Sequence, residues 1–374
     1  MQLLTLLGWL YWNPPQEAFR VPWIDRPVVW YGILFVTGFV IGYFLFVSIL
    51  TTHFKNANRL FKLDILNWSK LLSSLQKQSL LPGSIFAMPK ELSFLIKEKE
   101  IKENKLNPEK KEALLQFLNG LILSQSISRN KLTQILEGIA PIRQTAYFLA
   151  DKLLWFIVIG TLIGARLGHI LFYDWQLFWQ HPIEIVKVWK GGLASHGGVC
   201  GVFIALYLFY LSIQEDLPSL SFLRLLDFVA IPSALAACLI RLGNFMNQEI
   251  VGTATNLPWA VVFGRAADGS LPIPRHPVQL YEAFAYLLTF ILLFSIWKRK
   301  KERCGEGFYI GLLFTLVFSA RFILEFWKVD QSSLFQTAHL QIGQLLSLPF
   351  VLLGILWLIF SKENFSKNIF KKNS

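Results

Sequence analysis

Charged residues are scarce in this chain: only 16% of its 374 residues are Asp, Glu, Lys or Arg, whereas about 25% is usual in soluble domains. Hydrophobic residues make up 54% and aromatic residues 15%. Several apolar windows of roughly 20 residues are each long enough to cross a bilayer. The composition therefore predicts a polytopic helical membrane protein. The net charge of +12 lies mostly between the apolar segments, where membrane orientation explains it better than nucleic-acid binding does.

Cysteine is almost absent as well. Cys200 and Cys238 lie in apolar segments and Cys304 in a basic loop, with no C-x-x-C spacing, which argues against a disulfide framework or a zinc site. The chain also lacks an H-E-x-x-H motif, a P-loop and a G-x-S-x-G elbow, so the commonest hydrolase mechanisms are disfavoured. We expect neither a metal ion nor a cofactor.

Hydropathy predicts an all-α fold with about seven transmembrane helices. The spans are placed near Val28–Leu50, Lys152–Tyr173, Leu193–Ile213, Arg224–Asn244, Val278–Trp297, Phe308–Trp327 and Ile342–Phe360.

Basic residues concentrate in alternate loops between these spans. Clusters follow span five at Lys298–Arg303, span seven from Lys362 onward, and span one at His53–Arg59. The positive-inside rule makes that side cytoplasmic, so we predict a periplasmic N-terminus and a cytoplasmic C-terminus. The predicted regions are an N-terminal interfacial segment with the first span (1–54), a helical cytoplasmic insert (55–145), the bundle of spans two to seven (146–361) and a basic tail (362–374).

Two segments outside the spans have recognisable local signals. Met1–Trp12 is apolar and rich in Trp and Tyr, which suits an interfacial segment better than a cleaved signal peptide. In the insert, Asn107-Pro108-Glu109 is typical of a helix start, a second helix is predicted over Asn130–Glu137, and Leu81–Ser84 indicates a turn. Nothing in the insert suggests catalysis, so it is interpreted as an accessory element.

Polar residues that are costly in lipid lie near one end of several spans. A charge within hydrocarbon costs at least about 2.5–3.5 kcal/mol on translocon scales, so such residues normally face a bundle interior or a watery cavity. The predicted topology places all of them in the outer leaflet, and arginines converging at headgroup depth suggest a ligand that carries phosphate. They are Tyr31, Arg166, His196, Arg241, Asn244, Arg275, His276, Gln279, Glu282, Arg321 and Glu325.

Each of these residues also has a structural interpretation. Arg321 and Glu325 are spaced i, i+4, so they could form a helix ion pair. For four others the alternatives are as follows: His196 could bond a backbone carbonyl, Tyr31 could be an aromatic belt anchor, Arg166 could pair with an acid of another helix, and Asn244 could link two spans.

Glycines accompany the polar residues. The segment Gly191–Gly198 contains four glycines, and each glycine in a helix lowers its stability by about 1 kcal/mol relative to alanine. So many unfavourable residues indicate that the backbone must come close to a ligand or to another helix here. Between Gly243 and Gly252, the segment Asn244–Glu249 is interpreted as a turn whose amide and carboxylate groups hold an arginine in place.

At these residues the chain resembles the bacterial phosphatidylglycerol–prolipoprotein diacylglyceryl transferases. The family pattern G-R-x-G-N-F-x-N-x-E-x-x-G matches Ile240–Gly252 everywhere except at the leading glycine. Further blocks occur in the family's order: Trp30-Tyr31-Gly32, Gly191–Gly198, Arg275–Glu282, Arg321–Phe326 and Gly343–Ser347. The similarity covers about residues 20–55 and 145–360, and therefore says nothing about the insert.

The chain departs from the family pattern in two places. Val317 stands where the family usually has a tyrosine, four residues before Arg321, and Val329-Asp330 replaces the usual Pro-Asp. If the tyrosine hydroxyl contributes in relatives, Phe318 cannot replace it.

The resemblance implies a specific transfer reaction at the bacterial inner membrane, in the periplasmic leaflet. The family moves the sn-1,2-diacylglyceryl group of phosphatidylglycerol to the thiol of the lipobox cysteine in a prolipoprotein signal peptide, which forms a thioether and releases glycerol-1-phosphate. The implied partners are thus phosphatidylglycerol, lipobox prolipoproteins and the bilayer. Only the thiolate is strongly nucleophilic, and the phosphate must be held as its charge develops.

The resemblance also suggests a role for each residue. His196 is the candidate general base, and Arg241 and Arg321 are the candidate phosphate ligands; alternatively, the arginines alone activate the thiol and His196 positions lipid. The remaining candidate substrate-binding residues are Tyr31, Asn244, Glu249, Gly252, Arg166, Glu325, Arg275 and Gln279.

Two other functions compete with this interpretation. Intramembrane charges also line transporters and channels, but the inner halves of the spans are apolar and no internal repeat is evident. A non-catalytic lipid-binding or scaffold protein is consistent with the departures at Val317 and Val329, although His196 and the arginines are retained.

Overall fold

A computed structural model describes residues 8–56 except 24, 142–172, 194–214, 220–329 and 341–370, together with 77, 116, 120, 124, 175, 180, 182–186, 192 and 217. Nearly all of the predicted insert 55–145 lies outside the described residues, including the turn at Leu81–Ser84 and the two helices predicted from Asn107 and Asn130.

Seven α-helices and five short strands make up the described part of the chain. The helices are α1 (Trp30–Asn56), α2 (Ile142–Phe172), α3 (Ser195–Leu211), α4 (Phe222–Asn247), α5 (Val278–Lys300), α6 (Phe308–Leu324) and α7 (Ile342–Phe370). The strands are β1 (Leu10–Trp12), β2 (Glu17–Val21), β3 (Arg26–Val29), β4 (Val261–Phe263) and β5 (Pro274–Arg275). Short 3₁₀ turns occur at Pro182–Val186, Lys301–Arg303 and Glu325–Trp327.

The mostly helical membrane fold predicted from hydropathy is confirmed. Each predicted span coincides with one helix, and six of the helices are long and apolar enough to cross a bilayer. The exception is α3, whose apolar stretch His196–Leu211 is shorter than the other six. Several helices are longer than the apolar segments predicted for them, because helical hydrogen bonding continues into polar sequence that a hydropathy window leaves out. For example, α2 begins at Ile142, whereas the predicted span begins at Lys152. The orientation of the termini stays a prediction.

The strands were not predicted, and they organise the segments at one end of the helices. β1 pairs in parallel with β4, and β4 pairs antiparallel with β5. β2 and β3 form a separate antiparallel hairpin that leads directly into α1. The indole N–H of Trp12 donates to the Phe245 carbonyl at 3.1 Å, and the two rings stack with centroids 4.7 Å apart. The predicted interfacial segment therefore includes a strand tied to the end of α4.

The chain divides into two compact units, one formed by Met1–Phe46 with Leu223–Ser374 and the other by Val47–Phe222. In the first unit, α6 and α7 pack through a Phe318–Phe350 stack with ring centroids 4.4 Å apart. The first turn of α6 is capped from α4: the buried Asp227 carboxylate accepts the N–H groups of Gly307, Tyr309 and Ile310 at 2.8–3.0 Å. Such a remote carboxylate satisfies donors that a helix start otherwise leaves unpaired.

In the second unit, α2 and α3 pack backbone to backbone along a glycine seam. A Cβ added to Gly168 would lie 2.7 Å from the Gly197 Cα, and one added to Gly160 would lie 2.7 Å from the Gly201 carbonyl oxygen. Small residues at such spacing allow helices to approach closely, which is how membrane helices gain packing energy without a hydrophobic driving force. The glycines of Gly191–Gly198 thus serve, at least at Gly197, the approach of another helix.

The glycine seam generates a test on one helix. Gly201→Ala should lower the unfolding temperature in detergent, because the new Cβ would overlap the Gly160 carbonyl oxygen; overpacking of this kind costs about 1–3 kcal/mol. The matched control is Gly198→Ala, where a Cβ would have no neighbour closer than 3.6 Å. Equal unfolding temperatures for the two variants would contradict backbone contact along the seam.

Candidate active site

Arg241 is held in the last turns of α4 by a buried carboxylate of α5. Its Nε lies 3.0 Å from Oε2 of Glu282, and Glu282 is fully buried. The Arg241 Nε–H group does not point at this oxygen, and Glu282 Oε2 accepts no hydrogen bond from the described residues. The contact is therefore an ion pair without a hydrogen bond. Arg241 Nη1 also donates to Oδ1 of Asn244 at 3.3 Å. A charge this deep requires a partner, and Glu282 is that partner.

Glu282 is shared with a buried lysine that follows α6. Lys328 Nζ donates to Glu282 Oε1 at 2.9 Å and to Glu325 Oε2 at 2.8 Å. Two cations and two carboxylates therefore neutralise one another at the junction of α4, α5 and the 3₁₀ turn Glu325–Trp327. The Glu325 carboxylate also contacts Gly343 at the start of α7, where any Cβ would overlap it.

The helix ion pair considered for Arg321 and Glu325 is not formed. Glu325 is paired with Lys328, and within the described residues no carboxylate lies within 4.0 Å of the half-buried Arg321 guanidinium. Arg321 is instead close enough to the phenol of Tyr286 for the two to interact electrostatically, and Arg241 is in polar contact with the same phenol. The two arginines predicted as phosphate ligands therefore both lie within electrostatic reach of Tyr286.

The segment after α4 holds Asn244 and Glu249 in one network. Asn244 Nδ2 donates to Glu249 Oε2 at 2.9 Å, and Asn247 Nδ2 donates to Oε1 at 3.0 Å. Because α4 continues to Asn247, the predicted turn begins only at Gln248. Gln248 and Ile250 then take left-handed φ values of 58° and 55°, a conformation that persists in non-glycine residues only where contacts enforce it.

Gln279 and Arg275, both predicted to bind substrate, bond the backbone of this segment. Gln279 Nε2 donates to the Glu249 carbonyl at 2.7 Å, and Arg275 Nη1 donates to the Gly252 carbonyl at 3.1 Å. Gly252 has no room for a side chain, because a Cβ there would overlap the His276 carbonyl oxygen. These residues shape the loop around Glu249, and their predicted contact with substrate stays a prediction.

Tyr31 lies in the first turn of α1 with its ring over Gly243. A Cβ on Gly243 would come within 2.7 Å of Tyr31 Cδ2, so this glycine of the family pattern makes space for the ring. The phenol lies within electrostatic reach of both Glu249 and Arg241. Tyr31 is therefore not solely a membrane anchor. It belongs to a group of polar residues around Arg241, called the Arg241 cluster below: Tyr31, Arg241, Asn244, Glu249, Glu282, Tyr286, Arg321, Glu325 and Lys328.

A second group of hydrogen-bonded side chains lies at the start of α5. Trp259 Nε1 donates to the Tyr281 hydroxyl at 2.8 Å, and that hydroxyl lies 3.3 Å from Nδ1 of His276. Partial burial lowers the pKa of His276 below its usual 6.5. The ring is therefore mostly neutral at pH 7, and its Nδ1 can accept a hydrogen bond from the Tyr281 hydroxyl. This group fixes the loop that carries Arg275.

Arg166 and His196 belong to the second unit. Arg166 is buried and donates from Nε to the Ile185 carbonyl at 2.9 Å and from Nη1 to the Gly192 carbonyl at 3.1 Å. It therefore bonds at least two backbone carbonyls, and its pairing with an acid stays a prediction. His196 is exposed in the first turn of α3 and bonds no carbonyl or other group among the residues that the structure describes.

Sequence reasoning placed Glu282 among the outer-leaflet polar residues without giving it a role, and it missed two other members of the Arg241 cluster, Tyr286 and Lys328. Glu282 carried a usable signal, since an acid inside an apolar span requires a cation. Lys328 is spaced i, i+3 from Glu325, a pairing distance on a helix, but its burial could not be read from a segment that hydropathy assigns to a loop. Tyr286 gave no signal beyond an aromatic residue in a span.

Comparison with known proteins points to one family. The prolipoprotein diacylglyceryl transferase family matches residues 114–360. The phosphatidylglycerol–prolipoprotein diacylglyceryl transferase of Protochlamydia amoebophila is 52% identical over 97% of each chain. The enzymes of the same name from Tolumonas auensis and Chlamydia caviae are 49% and 42% identical, covering 66% and 51% of this chain and 88% and 65% of their own lengths. The chain therefore belongs to the prolipoprotein diacylglyceryl transferase family.

Proposed function

We propose that the protein transfers the diacylglyceryl group of phosphatidylglycerol to a prolipoprotein, the first step of lipoprotein maturation. The observation that carries this proposal is Arg321, a half-buried guanidinium without a carboxylate partner in the described part of the chain, beside an Arg241 that is already neutralised. An unpaired charge near lipid is unfavourable until an anion binds. The planar guanidinium fork suits a phosphate, and a lipid phosphate reaches this depth without leaving the membrane.

The reaction makes definite demands on these groups. The lipobox thiolate attacks the glyceryl carbon that bears the phosphate ester, so a C–S bond forms and the C–O bond breaks. The electron pair leaves with glycerol-1-phosphate, whose phosphate gains charge, and the thiol proton passes to a base. Fixed donors aimed at the growing charge stabilise it without reorganisation. Arg241, held by Glu282, meets this requirement, and Arg321 supplies the net positive charge.

Arg321 provides the sharpest test, because removing it breaks no ion pair among the described residues. Arg321→Ala should lower transfer from labelled phosphatidylglycerol to a lipobox peptide by about a hundredfold or more, the scale seen when a single charge-stabilising donor is removed. Arg321→Lys should retain part of the activity, since charge is kept and the fork is lost. Arg20→Ala, in the exposed β2–β3 hairpin, is the control. Transfer by Arg321→Ala at the wild-type rate would exclude the phosphate-binding role.

His196 is the proposed base for the thiol. Its exposure on α3 and the absence of a bonded partner among the described residues leave its ring available, although the arginines alone remain the competing means of activation. His196→Ala should lower transfer at pH 7 by about 10²–10⁴-fold. Raising the pH toward about 8.5, where a free thiol ionises without help, should recover part of the loss. A variant that matches the wild type at pH 7 would favour activation by the arginines.

We also propose that the protein lies in the bacterial inner membrane with its lipid-binding arginines toward the periplasm. The basic Lys298–Arg303 segment comprises the last residues of α5 and the turn that follows, and Arg321 lies at the far end of the next helix, α6. With Cys200 replaced by serine, Lys300→Cys should react with an impermeant thiol reagent only in permeabilised cells. Ala267→Cys, in the β4–β5 loop, should react in intact cells. The reverse labelling pattern would invert the proposed orientation.

A further inference from the structure

Tyr286 lies one turn beyond Glu282 on α5, in the middle of the Arg241 cluster. Only 3% of its surface is exposed. Its ring packs with Cys238 and Ala283, and the apolar side chains of Leu242 and Val317 close over the same group. The body of the tyrosine is thus enclosed by apolar side chains, while its hydroxyl is surrounded by charges.

The polar surroundings of that hydroxyl are unbalanced. The phenol lies within electrostatic reach of the Arg241 guanidinium, which can only donate. Arg321, also a pure donor, is within electrostatic reach. The hydroxyl proton must therefore point at an acceptor, and the acceptor recorded for it is Glu282 Oε1 at 3.5 Å.

A separation of 3.5 Å is long for this kind of bond. Hydroxyl donors usually approach their acceptors to about 2.7–2.8 Å, and charged acceptors draw them closer. Glu282 Oε1 also accepts a 2.9 Å bond from Lys328, so the tyrosine contact is the longer and weaker of the two that this oxygen makes. A buried donor with only a distant acceptor is unfavourable until a better acceptor arrives.

We propose that the Tyr286 hydroxyl is a third phosphate ligand, which donates to a non-bridging oxygen of phosphatidylglycerol held by Arg241 and Arg321. The proposal rests on the proposed function. An anion placed between the two guanidinium groups would present its oxygens to the same phenol that both arginines approach. It would supply the short acceptor that the hydroxyl lacks. The hydroxyl forms no covalent bond in the reaction and keeps its proton.

Tyr286→Phe tests this assignment, because it removes the hydroxyl and keeps the ring that packs in the apolar group. A lost hydrogen bond to a charged oxygen corresponds to about a tenfold or greater loss of affinity. We expect the KM for phosphatidylglycerol and the inhibition constant of glycerol-1-phosphate to rise together by that factor. The KM for a lipobox peptide and the unfolding temperature in detergent should stay unchanged. Tyr207→Phe, which removes an exposed hydroxyl from α3, is the matched control.

Each other result has a defined meaning. A KM for phosphatidylglycerol within twofold of wild type would overturn the assignment. So would an equal rise in the peptide KM, or a loss of activity that follows a fall in unfolding temperature, since both would indicate a structural role. If the wild type transfers lipid and Tyr286→Phe matches it, only this assignment fails. If the wild type transfers no lipid, the proposed function and the assignment fail together.

Discussion

The candidate site depends on one buried group of four charges: Arg241, Glu282, Lys328 and Glu325. Each charge would be costly alone in a membrane helix, and removing one partner of a buried pair typically costs about 3–5 kcal/mol. Together they form a neutral unit that joins the ends of α4, α5 and α6. Because the fully buried Glu282 is paired with Arg241 through one oxygen and bonded by Lys328 through the other, a shift of these helices relative to one another would leave a buried charge without its partner. The position of Arg241 follows from this constraint.

That constraint assigns different tasks to the two arginines. Arg241 is fixed by Glu282 and Asn244, so its guanidinium offers a preformed surface to an anion. Arg321 has no counter-charge among the described residues, so under the proposed function it contributes the net attraction for the phosphate. Fixed hydrogen-bond donors, such as those of Arg241, together with an unpaired positive charge, such as that of Arg321, stabilise an anion strongly where little water is present. The backbone around Glu249, bonded by Gln279, holds the adjacent loop in a strained conformation that keeps Asn244 in position.

Hydropathy and local motifs predicted the seven helices and the polar residues near their ends, because apolar length and costly charges are properties of the sequence itself. The pairings could not be predicted in the same way. The i, i+4 spacing favoured Arg321 with Glu325, yet Glu325 pairs with Lys328, since a tertiary contact with Glu282 holds the lysine there. The strands escaped prediction because each is only two to five residues long. Val317, notable in sequence as a missing hydroxyl, packs beside the hydroxyl-bearing Tyr286 of another helix.

The Asp227 cap at the start of α6 has a geometric consequence for the other end of that helix. Three N–H groups bonded to one carboxylate fix both the axial position and the rotation of the first turn relative to α4. Each helical residue turns the chain by about 100° and advances it by about 1.5 Å. The direction of the Arg321 side chain is thus determined by the number of residues between it and the cap. Changes of length in the loop before Gly307 leave that direction intact, whereas a single residue inserted in α6 before Arg321 would rotate the guanidinium by about 100°.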